Sequence, residues 1–351
     1  MRKRHQLMFI ALPLHLPLFA YPILRLCYWL GLDGWQTATI FIPLFFSQII
    51  ARLYLPHANS GPVFWLRRGA DLWLGISPLL LGMLLVTELP VALGWLVPAT
   101  AAKVVIALAL ALMAFSVWNA YSPSVVTVPL TSAKLRSPLR FAQITDVHIG
   151  SRSSAFLERV MTKVNKLNVD FLCITGDFID APGIDEEQLS ALRNCPVPIY
   201  FTIGNHERYE DLEEILQRLK RLGVEILRSR TLNHGEVQLV GIDDNDHPGQ
   251  VKRELATLSI EQEQFVLLLY HRPYGLSDAA AAGVDLMISG HTHNGQIIPF
   301  NLVVKRVFSK IVGLFTEGST QLYVSPGTGT WGPVMRLGST GEVTLFEVLP
   351  Q

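Results

Sequence analysis

The stretch LMISGHTHNG, residues 286–295, closes an apolar run with a glycine and then presents His291 and His293 on either side of Thr292. Four earlier stretches follow the same plan. TDVHIG puts Asp146 and His148 after the apolar LRFAQIT, and TGDFID puts Asp177 after DFLCIT. GNHE puts Asn205 and His206 after VPIYFTI, and YHRP puts His271 after QFVLLLY. Each polar cluster thus stands just past the carboxyl end of a β-rich run, where open α/β sheets place their ligands. Taken singly, these residues have ordinary uses: a helix cap for Asp146, a turn for Asp177, a left-handed position for Asn205, a hydrogen-bonded core imidazole for His271. Taken together, eight residues of only three types at corresponding positions have the chemistry of a metal cluster.

Carboxylate, amide oxygen and neutral imidazole suit Mn²⁺, Fe²⁺ or Zn²⁺, and the lack of paired cysteines argues against a closed structural zinc site. Two such ions about 3.5–4 Å apart, bridged by a carboxylate, can lower the pKa of a shared water and hold both oxygens of an in-line displacement at phosphorus. That reaction is hydrolysis of a phosphate ester by a bridging hydroxide.

Helical stretches at 155–167, 186–193, 212–222 and 273–282 separate the strand candidates, and this alternation predicts an α/β domain over residues 139–351. What precedes it differs in composition. Before Leu139 the chain holds ten Lys/Arg against three Asp/Glu, and from Leu139 onward nineteen against twenty-six. The mean hydropathy of the whole chain is +0.32. Residues 7–30, 35–55, 72–89 and 104–121 are each apolar over about the 20 residues that cross a bilayer, so residues 1–122 read as an all-α bundle of about four transmembrane helices. Pro13, Pro17 and Pro22 are tolerated there, because neighbouring helices re-satisfy freed carbonyls. Arg25 and Glu88, near the ends of spans, are expected to snorkel to the interface. A Ser/Thr/Pro-containing linker, residues 123–138, joins the halves.

Basic residues at one set of loops (Arg2, Lys3, Arg4; Arg52, Arg67, Arg68; Lys134, Arg136, Arg140) place both ends of the membrane region on the cytoplasmic side of an inner, or plasma, membrane. The apolar character continues past Tyr21 with no clear small-residue cleavage site, which favours an uncleaved first span over a signal peptide. Cys27, Cys173 and Cys195 suggest no disulfide framework.

The ordered blocks DVHIG, GDFID, GNHE, YHRP and SGHTHNGQ resemble the signatures of the calcineurin-like metallophosphoesterases, over about residues 139–348. GHTHNGQIIP and SPGTGTWGPVMRLG look most like the bacterial membrane-associated phosphodiesterase branch. The resemblance implies a four-layer α-β-β-α sandwich and two divalent cations. It assigns Asp146, His148 and His293 to one ion, Asn205, His271 and His291 to the other, and Asp177 to both. Residues two apart in extended backbone point the same way, so His291 and His293 can reach neighbouring ions. His206 is then not a ligand but stands by the leaving-group oxygen.

Arg208, Arg272 and Arg336 are candidate phosphate contacts. GTGTWG, residues 327–332, has no room for a βαβ unit and reads as a tight loop near the metal rim rather than a dinucleotide fingerprint. IDDNDHPG lacks the spacing of a calcium loop. Residues 297–315, apolar with Lys305, Arg306 and Lys310 interleaved, read either as a covering element of the core or as a surface against lipid headgroups. The net negative charge of the second half speaks against nucleic acid. The sequence thus describes a membrane-anchored phosphodiesterase or phosphatase with membrane lipids around it and no obligatory protein partner. The alternatives are a pyrophosphohydrolase of a lipid-linked nucleotide such as UDP-diacylglucosamine, and a non-hydrolytic metal-binding module of a membrane complex.

Overall fold

A computed structural model of the chain describes residues 14–55 and 61–351. It divides into two compact units, one ending at Trp118 and including Gly332–Met335, the other formed by Asn119–Trp331 and Arg336–Gln351.

The first unit is helical. A π-helical turn, Leu16–Ala20, leads into α1 (Tyr21–Trp29), followed by α2 (Gly34–Leu53), α3 (Gly61–Ala92) and α4 (Pro98–Ala120). Among the described residues, α2, α3 and α4 are long and apolar enough to cross a membrane, and only 11%, 28% and 28% of their most apolar windows are buried. Water penalises that much exposed apolar surface, whereas hydrocarbon does not. The first expected span lies partly outside the described residues, as do Pro13 and the Arg2–Lys3–Arg4 cluster. Asp33 starts α2 with a reciprocal cap, its carboxylate accepting the Gln36 N–H at 2.8 Å while Gln36 Oε1 accepts the Asp33 N–H at 3.0 Å.

Arg67 and Arg68, read as bordering or lying between spans two and three, lie on α3, whose helix begins before residue 72. Arg67 donates to the Ala51 and Leu55 carbonyls at 3.0 and 2.6 Å and so closes the C-terminal end of α2. Arg25 and Glu88 pair with each other, Nε to Oε1 at 2.6 Å and Nη2 to Oε2 at 2.5 Å, and the Tyr21 hydroxyl donates to the same carboxylate. Pairing leaves neither charge to be solvated alone in an apolar bundle.

The second unit holds two six-stranded sheets. One runs β1-β12-β2-β3-β4-β5, built from β1 (Ser124–Ser132), β2 (Leu139–Ile144), β3 (Phe171–Thr175), β4 (Ile199–Thr202), β5 (Val224–Ile226) and β12 (Glu342–Pro350). The other runs β10-β11-β9-β8-β7-β6, from β6 (Arg230–His234), β7 (Val237–Gly241), β8 (Phe265–Leu269), β9 (Leu286–Ser289), β10 (Gly313–Glu317) and β11 (Thr320–Val324). Side chains alternate along each strand, and both faces of the central strands are apolar. Phe141, Phe171, Cys173 and Tyr200 meet Leu239, Leu267, Leu286 and Ile288 between the sheets. The opposite positions face outward. Ala142, Leu172, Ile174 and Phe201 pack under α5 (Ser154–Val164), the 3₁₀ turn Glu187–Asn194 and α7 (Leu212–Arg221), with α6 (Asn205–Tyr209) lying before α7 in the chain. Val240, Val266, Leu268 and Met287 pack under α8 (Gln250–Leu255) and α9 (Leu276–Ala281). The four-layer α-β-β-α sandwich expected from the resemblance is the one observed.

Residues 124–132, read from the sequence as linker, form β1 and pair in parallel with β12 along nine residues. Their partner lies over 200 positions away, so no local pattern announces the pairing.

Phe141 is fully buried between the sheets, its ring 5.1 Å from Phe171 and 4.7 Å from Phe346. Phe141→Ala is expected to destabilise this unit by about 3–5 kcal/mol, since it removes apolar contact and leaves a cavity in a stacked core. A loss under about 1 kcal/mol in denaturant unfolding would contradict this placement.

Candidate metal centre

The strand ends converge as their sequence positions require. Turns after β2, β3, β8 and β9 carry Asp146 and His148, Asp177, His271, and His291 and His293, while α6 begins at Asn205 directly after β4. Five of these residues have left-handed backbone: Asp146 (φ 53°), His148 (58°), Asp177 (50°), His291 (73°) and His293 (50°). Non-glycine residues adopt that region at a cost of order ~1 kcal/mol or more each, and such strain gathers at functional sites. Close packing of backbone against the carboxylates completes the cradle. A Cβ on Gly204 would stand 2.2 Å from Asp177 Oδ1, and one on Gly290 would stand 2.2 Å from Asp146 Oδ2.

Three groups of ligand-type atoms result, Asp146 with His148 and His293, Asp177 with His271 and His291, and His148 with Asp180 and His206, each within 4.8 Å of one another. His293 Nε2 is 3.3 Å from Asp146 Oδ1 and 3.1 Å from His148 Nε2. His271 Nε2 is 3.1 Å from both Asp177 Oδ2 and His291 Nδ1. The Thr175 carbonyl accepts from His271 Nδ1 at 2.8 Å, which turns Nε2 inward. Asn205 is buried with its Oδ1 lacking any partner, and His293 Nδ1 is likewise unpartnered. His206 is half-buried, its ring 4.8 Å from that of His148, and its backbone N–H donates to Asp177 Oδ1 at 2.8 Å.

The electrostatics divide each imidazole pair. Burial opposes a charge on His271, but the Asp177 carboxylate outweighs it and pushes the pKa up to about 10. Asp177, although buried, is held well below the usual carboxylate range by His271. Burial and His271 push His291 down to about 3. In the other pair, burial and His148 push His293 far down, while His148 itself is raised because Asp180 outweighs burial. In each 3.1 Å nitrogen pair one imidazole is thus pushed up and the other down. Two nitrogens on a single cation, with bonds near ~2.1 Å, come to rest about 3 Å apart, so each pair fits a divalent ion.

Two acidic residues in the quoted blocks do work that the sequence reading missed. Asp180, the last residue of GDFID, faces His148 Nδ1 at 3.2 Å and accepts from Ser151 N and Oγ at 2.8 and 2.6 Å. Glu207, in GNHE, is fully buried and accepts the N–H groups of Asp177, Phe178, Ile179 and Gly204 at 2.6–3.0 Å, which ties the turn after β3 to the start of α6. Their place inside the motif blocks GDFID and GNHE was the only signal.

The three candidate arginines separate. Arg336 is fully buried, donating to the carbonyls of Pro326, Gly327 and Gly329 and to Ser339 Oγ, so it props the 327–332 loop and has no path to a substrate. That corrects its assignment as a phosphate contact. The loop itself lies against Asp146 and Val147, with Gly329 N–H donating to the Asp146 carbonyl at 3.0 Å. Arg208 and Arg272 clamp Asp244 and Asp246 of the IDDNDHPG stretch, at 2.7 Å for Arg208 Nη1 to Asp244 and 2.6 Å for Arg272 Nε to Asp244. They join the His206 and His271 segments at the rim and retain partial exposure.

The calcineurin-like phosphoesterase family model matches residues 139–295. A Bacillus subtilis metallophosphoesterase, YkoQ, is 31% identical over 61% of this chain and 84% of its own length. The chain belongs to the calcineurin-like metallophosphoesterases. A Campylobacter jejuni metallophosphoesterase is 33% identical, covering 65% of this chain, and a Danio rerio transmembrane protein with metallophosphoesterase domain is 32% identical, covering 64%. The matches span 63% and 57% of those two relatives. Membership in the metallophosphoesterases implies divalent metal, and the donor set described here suits it.

A stability prediction follows for the metal-free metallophosphoesterase. The folded pKa of His271 exceeds its ordinary 6.5, so its contribution is complete below about 6.5 and is lost as pH rises through about 10. Asp177 lies below its ordinary 3.8, so its contribution exists above that value and is lost on acidification. The metal-free protein is expected to melt lower at pH 10 than at pH 6.5, and loading at neutral pH is expected to release protons. Melting curves, and calorimetry in buffers of different ionisation heat, measure both. A metal-free melting temperature unchanged over that range would contradict the His271–Asp177 pair.

Proposed function

We propose that this protein hydrolyses phosphate esters, as a phosphodiesterase or phosphatase anchored in a membrane by its N-terminal helices. The observation that carries the reading is the pair of adjacent groups, Asp146–His148–His293 and Asp177–His271–His291, each drawn within 4.8 Å. Asn205, with a buried oxygen that no protein donor meets, completes the second group. Asp177 would serve both: its Oδ2 faces His271, and its carboxylate acts electrostatically on Asp146 and His148 of the first group. Two divalent cations held by these residues would supply an activated water and neutralise charge on the phosphoryl oxygens.

The chain's own residues do the rest. Thr175 and Asp180 orient His271 and His148, and Glu207 holds the Asp177 turn in place. His206, beside the first group and close to the exposed Tyr209 and Trp331, is placed to donate a hydrogen bond to the leaving-group oxygen. Burial and His148 lower its pKa, so near neutrality it acts as a neutral donor. Arg208 and Arg272 stand at the rim with their charges balanced by Asp244 and Asp246. The Lys/Arg bias of the sequence supports a domain on the cytoplasmic face.

Turnover of bis(p-nitrophenyl) phosphate by purified full-length protein with added Mn²⁺ tests the reading, and complete inertness with Mn²⁺, Fe²⁺ and Zn²⁺ alike would favour a non-hydrolytic module. Labelling single cysteines on the domain from each side of sealed vesicles tests orientation, and labelling from outside would reverse it.

A further inference from the structure

The loop bearing His291 and His293 continues through residues 297–316, which contain Lys305, Arg306 and Lys310 and no acidic residue. Within it lies α10 (Phe300–Val307), none of whose side chains is buried. Phe300, Leu302, Val303 and Val307 are 57%, 61%, 53% and 63% exposed. An amphipathic helix of a water-soluble domain turns its apolar stripe to the core. This one leaves it outside.

The helix is nonetheless firmly seated. The Asn301 backbone packs so closely on Gly295 that a Cβ there would stand 2.2 Å from Asn301 Cα. Thr292 Oγ1 donates to the Ile311 carbonyl at 2.6 Å, and the Phe308 ring lies 5.3 Å from that of His291. Gln296 exchanges hydrogen bonds with the Trp331 backbone at 2.9 and 3.1 Å, which draws this exposed aromatic beside the same loop and 6.1 Å from His206. The result is a fixed apolar lip next to the metal centre, edged with cations that have no carboxylate partner among the described residues.

We infer that this lip rests in the headgroup layer of a bilayer containing anionic lipid, and that the phosphoester taken by the site is borne on a lipid presented at that surface. The inference deepens the hydrolase reading and rests on it for the substrate. An eight-residue helix is only ~12 Å long and ~10 Å wide, so its exposed face covers about 120 Å², far less than the ~800 Å² per partner that a stable protein interface buries. A shallow apolar strip flanked by Lys and Arg is what anionic headgroups accept, and a chain with membrane-crossing helices already holds the domain within reach of them.

The test uses full-length protein in vesicles, with Cys27, Cys173 and Cys195 replaced by Ala and an environment-sensitive fluorophore on Leu302→Cys or, as a control on α7, on Lys220→Cys. Quenching by spin-labelled lipid is expected at residue 302 and not at residue 220, and it should strengthen when phosphatidylglycerol is added to phosphatidylcholine. Equal quenching at both positions, or none at 302, overturns the lip. In a second measurement, Val303→Asp with Arg306→Glu is expected to slow hydrolysis of a vesicle-borne phospholipid ester by about tenfold or more, while turnover of soluble bis(p-nitrophenyl) phosphate changes less than twofold. Equal slowing on both substrates overturns the lipid assignment in favour of a structural role. If the parent hydrolyses neither while quenching at 302 persists, the hydrolase reading and the substrate half fall and the bilayer contact stands.

Discussion

Asp177→Asn is expected to reduce phosphodiester turnover by about 10³-fold and to lower bound metal from two ions per chain to one or none. A metal pair stabilises the transition state by several kcal/mol, and each 1.36 kcal/mol is tenfold in rate. The neutral amide keeps the shape of the carboxylate but loses the charge that holds His271 and, by proposal, both cations. Residual metal measured by plasma emission, alongside kcat, separates two outcomes. Loss of activity with both ions retained would mean that Asp177 acts on substrate rather than on metal. Activity within tenfold of the parent would remove the dinuclear mechanism.

His206→Ala is expected to lower kcat by about 10²–10⁴-fold, the range for a positioned proton donor, with metal content unchanged. Its lowered pKa, set by burial and the neighbouring His148, gives this prediction a pH signature. As a neutral hydrogen-bond donor, His206 keeps one protonation state above about pH 6.5, so the ratio of parent to variant kcat is expected to stay constant between pH 7 and 9. A ratio that falls tenfold per pH unit across that interval would instead identify a charged imidazolium acid. Loss of metal in the variant would move His206 from the reaction to the ligand set.

Much of this protein is written locally. Strand periodicity in LRFAQIT, DFLCIT, QFVLLLY and VDLMIS, and the Asp, Asn and His residues set just beyond each run, depend only on neighbours along the chain. The structure brings Asp146, His148, Asp177, His271, His291 and His293 together in two groups because parallel strands must end on the same edge. The apolar lengths of α2, α3 and α4 were equally legible, since crossing hydrocarbon is a property of a single segment.

What the tertiary structure alone decided are the partners of polar groups and the pairing of distant strands. Arg336 looks on paper like any rim arginine, and only the fold shows that the carbonyls of residues 326–329 surround it. Glu207 gains its purpose from four N–H groups spread over two turns, and Asp244 from two arginines on different elements. β1 has a partner only because β12 returns to the same sheet after more than 200 residues. The exposure of α10 is a matter of what fails to cover it. Sequence determines which groups are offered and at what local spacing, because those follow from backbone periodicity. Three-dimensional packing decides which offers are met, because burial, charge pairing and solvent access belong to surroundings contributed by the rest of the chain.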